Sequence, residues 1–142
     1  MFVTRASAPA GANPMGMNLA TNFAMTANTA AQVTGWAARA GFGATVITSS
    51  KLVADGGAAW MLNAKAVLTA AWPSSTALTL TVMKNATSVA TMAIPFNNTT
   101  ATLTSVALTL ASGDTVWLSY TTPLGASATL LSGATNTYLY FT

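Results

Sequence analysis

Gly113-Asp114-Thr115-Val116-Trp117-Leu118-Ser119-Tyr120 is the stretch whose reading decides the fold class. Gly-Asp is a turn signal, because Asp bonds nearby backbone and Gly takes positive φ without steric cost. Directly after it, Val116, Leu118 and Tyr120 alternate with Thr115, Trp117, Ser119 and Thr121. Period-two alternation of β-branched and aromatic residues describes a strand buried on one face. A second such run, Tyr138-Leu139-Tyr140-Phe141-Thr142, ends the chain. Two Tyr and a Phe at a terminus belong inside a sheet rather than on a loose tail.

Working back from these runs, the same pattern recurs. Leu78, Leu80 and Val82 face one way over 76–84, and Asn85-Ala86 turns the chain into a strand over 87–94. Over 99–110, Val106, Leu108 and Leu110 hold the inward parity while Leu103 is out of phase, which predicts a bulge near Thr104-Ser105. Residues 58–72 place Trp60, Leu62, Ala64, Ala66, Leu68, Ala70 and Trp72 on one parity. A strand is the reading here, since a helix would set Asn63 and Lys65 among the apolar residues. Shorter strands are expected over 33–38, 44–49 and 51–54, with a hairpin-type turn at Asp55-Gly56-Gly57. The fold class that follows is all-β: an antiparallel β-sandwich or jelly roll of about eight to ten strands.

Residues 1–32 differ in composition. Pro9, Gly11, Pro14 and Gly16 argue against a helix. Met15, Met17 and Leu19 recur at period two, as one side of an extended segment lying in a groove would. A disordered leader and an extended attachment arm both fit. The expectation carried forward is an arm over 1–32 whose contacts come from Phe2, Arg5, Met15, Met17, Leu19 and Phe23, preceding a sandwich domain over 33–142. Flexible Met side chains suit such adaptable contacts.

Charged residues are 5% of the chain, against about 25% in an ordinary soluble domain. A surface coated with Thr, Ser, Asn and Ala has little charge repulsion to keep copies apart, so self-association or burial against a larger particle is expected. Arg5, Arg39, Lys51, Lys65 and Lys84 are dispersed, which excludes the clustered cations of a nucleic-acid interface. No apolar run approaches the length of a membrane helix, and residues 1–12 lack the apolar segment of a secretory signal, so no membrane partner is expected.

The chain has neither His nor Cys, and Asp55 and Asp114 are its only acids. The usual general base, the thiolate nucleophile and the common zinc ligand sets are therefore missing. Both Asp lie beside Gly in turn contexts. The expectation is a protein that is not an enzyme, with no catalytic residues, no cofactor and no metal. Asn85, Asn97 and Asn98 sit in glycosylation-type triplets, which a Thr-rich chain produces by chance. Trp36, Trp60, Trp72 and Trp117 suit core or subunit interface first and a sugar-binding face second.

The order of segments resembles the jelly roll of the tumour necrosis factor and complement globular-head superfamily. The resemblance is carried by the run from Trp60 to Trp72 and by Leu80-Thr81-Val82-Met83-Lys84-Asn85. It continues through Ala107-Leu108-Thr109-Leu110 and Gly113-Asp114-Thr115-Val116-Trp117-Leu118 to the aromatic strand Tyr138-Leu139-Tyr140-Phe141. It implies a compact homotrimer with the terminal strand near the three-fold axis, and makes Trp117, Tyr138 and Tyr140 the candidate trimer-interface residues. The missing signal segment, Cys and acids argue against a signalling role. A small Ala/Thr-rich jelly roll behind an arm is similar to virion surface proteins of tailed bacteriophages. The function expected on that likeness is a homotrimeric capsid decoration or cement protein. It would be made in the host cytoplasm, sit on the capsid exterior, and have the major capsid protein or another virion protein as its partner. The alternative is a phage tail or spike module that binds host-surface glycan.

Overall fold

The computed structural model describes residues 11–142. Among them every regular element is a strand. The strands are β1 (Met15–Leu19), β2 (Phe23–Ala24), β3 (Ala30–Gln32), β4 (Trp36–Ala38), β5 (Ile47–Thr48), β6 (Lys51–Val53) and β7 (Ala58–Val67). They continue as β8 (Leu78–Lys84), β9 (Thr87–Ile94), β10 (Thr100–Leu110), β11 (Thr115–Thr121), β12 (Thr129–Leu130) and β13 (Tyr138–Phe141). These thirteen exceed the eight to ten expected because β1, β2 and β3 lie within the stretch read as an arm.

Two antiparallel sheets form the sandwich. One runs β10-β7-β13-β1-β4, and the other runs β5-β6-β11-β8-β9 with β3 also paired to β11. The alternation read from the sequence sets their inner faces. Leu78, Leu80 and Val82 of β8 and Val116, Leu118 and Tyr120 of β11 are buried, opposite Leu62, Ala64 and Ala66 of β7 and Leu139 and Phe141 of β13. The bulge in β10 falls where expected. Its register against β7 shifts between Leu103 and Val106, with Ser105 at positive φ and its N–H on Asn63 Oδ1.

Four expectations are corrected. First, the described part of the expected arm, residues 11–32, is not set apart from the sandwich. Met15, Met17 and Leu19 are completely buried, and β1 pairs with β13 on one side and β4 on the other. The period-two pattern was a strand's, and the groove it fills is the chain's own core. Val33 likewise marks no domain boundary, since β1 and β3 are strands of the two sheets and β2 pairs with β12 in a two-stranded ribbon. Second, Phe23 packs its ring edge-on to Tyr120, with centroids 5.7 Å apart. Phe2 and Arg5 lie outside the described residues. Third, the 58–72 strand stops at Val67; Trp72 is buried by a separate path, bonded through its backbone to Asn97 and Asn98. Fourth, Asp55-Gly56-Gly57 is not a hairpin, because β6 and β7 lie in different sheets. The turn crosses the sandwich edge, pinned by Asp55 accepting from Asn13 N–H and Nδ2 at 2.9 and 2.6 Å.

The indoles of Trp60 and Trp72 differ in one respect. Trp72 Nε1 donates to Thr76 O at 2.8 Å, whereas Trp60 Nε1 is buried with no acceptor among the described residues. An unmade buried hydrogen bond costs the desolvation of its donor. Trp60→Phe removes that penalty and should change stability little, while Trp72→Phe should destabilise by about 1–3 kcal/mol. Urea unfolding of both variants measures the difference; a larger loss for Trp60→Phe would contradict it.

Candidate functional site

On β13 the alternation that buries Leu139 and Phe141 turns Tyr138 and Tyr140 to the opposite, outer face of the sheet, where both are half-buried. Their rings lie 5.6 Å apart. Across the register, Gly16 opposes Tyr140 and Asn18 opposes Tyr138. Gly16 matters here because it has no side chain: a Cβ built on it would meet Tyr140 Cβ at 2.9 Å and the Phe42 ring at 3.1 Å. Phe42, from the loop after β4, therefore folds over Gly16 and meets Tyr140 with ring centroids 5.4 Å apart.

A cation completes the cluster. Arg39 places its guanidinium 4.4 Å from the Tyr138 ring centroid and 5.3 Å from that of Tyr140, and donates through Nη1 to Ala134 O. Lys65, opposite Tyr138 on β7, donates to Thr135 O at 3.1 Å. The two cations of this face thus spend donors on their own chain's carbonyls. Met61 on β7 lies 41% exposed among small neighbours. The result is an aromatic cluster with the Arg39 guanidinium over it and Lys65, Asn63 and Asn18 beside it on the neighbouring strands. Interface cores are enriched in Tyr, Met and Arg and depleted in Asp and Glu.

Of the three candidate interface residues, the structure brings Tyr138 and Tyr140 together and separates Trp117 from them. Trp117 is on β11 of the other sheet, half-buried on the side away from Val116 and Leu118. One flat contact cannot include all three. Alternation alone told which face of its strand Trp117 took, but not which sheet the strand joined. The residues missed by sequence reasoning are Gly16, Arg39, Phe42, Lys65 and Met61. Gly16 between two inward Met was the one available sign of a close approach; the others meet only through pairing across distant strands.

Both acids serve turns. Asp114 accepts from Ala111 N–H at 2.8 Å and Asn85 Nδ2 at 2.9 Å, with Lys84 Nζ at 3.6 Å. The Ala111 N–H, then Asn85, then the Lys84 charge hold its carboxyl below the usual value. Asn13 does the same for Asp55. Among the described residues no three His, Cys, Asp or Glu side chains come together. A cleft of about 440 Å³ at one end of the sandwich is lined by Ala24, Ala70, Ala71, Pro73, Ala128 and neighbours, without a charged group.

The fold is a TNF-like jelly roll. Three solved structures share it: Eiger TNF from S. frugiperda (TM-score 0.69, 11% identity, 92% of this chain and 89% of that one) and murine APRIL at pH 8.5 (0.66, 13%, 92% and 98%) and at pH 8.0 (0.63, 12%, 92% and 98%). Neither a protein-family model nor a curated protein matches the sequence. The likeness fixes the architecture, and at these identities it fixes nothing else.

Two outcomes follow from this geometry. Gly16→Ala should push Phe42 off Tyr140, seen as changed aromatic-ring NMR shifts for those two residues; unchanged shifts would contradict the close approach. Carboxylates with lowered pKa contribute stability that is complete above their unfolded value and lost as pH falls through the folded one. With no His, the melting temperature should be flat from about pH 5 to 7 and decline below about pH 4. A transition near pH 6 would contradict this.

Proposed function

We propose that this chain is a structural protein that works as a homotrimer, joined through the outer face of the β10-β7-β13-β1-β4 sheet. The observation that carries this is the Tyr138–Tyr140–Phe42–Arg39 cluster beside exposed Met61, on a face without a carboxylate. Obligate interfaces are more apolar than transient ones and bury on the order of 2,000 Å² or more. A chain with only seven charged side chains, two acidic and five basic, gains solubility by covering such a face.

The fuller reading is a decoration or cement protein on the capsid exterior of a tailed bacteriophage, with the major capsid protein as partner. Its support is the neutral Thr-rich surface, the absence of a catalytic constellation among the described residues, and the placement of both described ends together. Asn13 bonds Asp55, Met15 opposes Phe141, and Thr142 pairs with Met61. A trimer seated over a junction between shell subunits links them, so separating any two breaks contacts on several. Residues 1–10, including Phe2 and Arg5, take the attachment role in this reading.

Native mass spectrometry should find a trimer for the full chain, and Tyr140→Lys, which sets a charge in the face, should shift it to monomer while strand content is kept. Removal of residues 1–10 should leave the trimer intact but abolish its sedimentation with phage shells. A monomeric wild type would contradict the first statement, and undiminished shell binding the second.

A further inference from the structure

On the opposite side of the sandwich a groove of about 240 Å³ runs between β3 and β11, lined by Ala30, Ala31, Gln32, Trp117, Ser119 and Thr121 among others. We propose that this groove binds a carboxylate-bearing pyranose, such as a uronic acid unit of a surface polysaccharide, with Trp117 as the stacking wall and Lys51 as the carboxylate partner. The inference stands apart from the trimer reading, because it uses the other sheet.

The groove is built by register. Ser119, Tyr120 and Thr121 pair with Gln32, Ala31 and Ala30. Ala31 faces inward opposite buried Tyr120, and on the outer face the small Ala30 opposite Thr121 leaves room along the strand that carries Trp117. Further along β11, Val116 pairs with Leu52, which sets Lys51 beside Trp117. The indole is fixed rather than free: Nε1 donates to Asn85 O at 2.9 Å. A ring held in place loses little freedom when a ligand packs on it.

The polar groups are placed for a polyhydroxylated ligand. Gln32 Nε2 is occupied by Ser49 O and Ser50 O at 2.8 and 3.2 Å. The amide is therefore oriented, and its Oε1 has no partner among the described residues. Ser119 Oγ makes one long bond, 3.4 Å to Thr81 O, and Thr121 is exposed at the groove edge. An aromatic wall with a few convergent hydroxyl and amide groups suits a sugar, which offers a C–H face and several donors.

The charge narrows the class. Lys51 Nζ sits 4.6 Å from the Trp117 ring centroid. Neither carboxylate of the chain pairs with it: Asp114 pairs with Lys84, and Asp55 is bonded to Asn13. One pre-placed ammonium without an acid partner complements one carboxylate. A phosphodiester chain needs several such cations; among the described residues Arg39 and Lys65 belong to the other sheet's face and Lys84 is paired with Asp114.

The test titrates the full-length protein with methyl glucuronoside and, separately, methyl glucoside, which differ only in the carboxylate. NMR follows the indole N–H of Trp117, assigned from the Trp117→Phe variant, and saturation-transfer difference signals of the sugar protons, which also report on variants without the indole. Saturable shifts with the glucuronoside are expected, with the glucoside about three- to fivefold weaker, as one partly exposed ion pair would give. Lys51→Gln should erase that preference and Trp117→Ala should abolish binding, with melting curves confirming that both variants fold. No saturable shift with either sugar, or equal affinity for the two, would overturn the assignment. So would full binding by a folded Trp117→Ala.

Discussion

The insertion of β13 between β1 and β7 is the constraint from which the rest follows. A strand at the chain's end is bonded on both sides, to Met15–Leu19 and to the middle of β7. Closing that sheet joins residues more than a hundred positions apart, so the pairing forms only with the whole sandwich. Such non-local pairing makes folding slow and cooperative. The same four residues divide the labour of the protein. Leu139 and Phe141 complete the core, and Tyr138 and Tyr140 build the outer aromatic face.

Much of this was legible in the sequence where one strand's own periodicity carried the information. The strands from 76 to 121 and the closing aromatic strand read correctly, as did the β10 bulge, because alternation and turn residues are local signals. What failed was non-local. Met15, Met17 and Leu19 show the same alternation whether they line a neighbour's groove or their own core. Nothing within 11–32 says that β13 is the partner. Of the Pro and Gly that suggested an arm, Gly11 and Pro14 precede β1 and Gly16 lies inside it, placed where Phe42 and Tyr140 close over it. Trp117 was grouped with Tyr138 and Tyr140 as an interface candidate of the trimer that the jelly-roll resemblance implies, and sheet membership separates them.

Scarcity of charge gives the molecule its second constraint. Both acids are committed to turns, and Lys84, Lys65 and Arg39 donate to the chain's own carbonyls. The two outer faces are thereby specialised. One carries the Tyr138–Tyr140–Phe42 cluster with Arg39 over its rings, the surface proposed to meet another copy. The other carries the Trp117 groove and Lys51, which lies over the Trp117 ring and pairs with neither acid. A sandwich organised this way can assemble through one side and leave the other free to meet a ligand.

The most direct measurement is hydroxyl-radical footprinting of the full-length protein, read residue by residue. If the β13 face lies between copies, Tyr138, Tyr140 and Met61 are oxidised far more slowly than their exposure in a single chain demands. Phe96 and Leu124, 59% and 83% exposed on loops, then react at the full rate and serve as internal standards. Oxidation of Met61 and both tyrosines in proportion to their single-chain exposure would contradict the account.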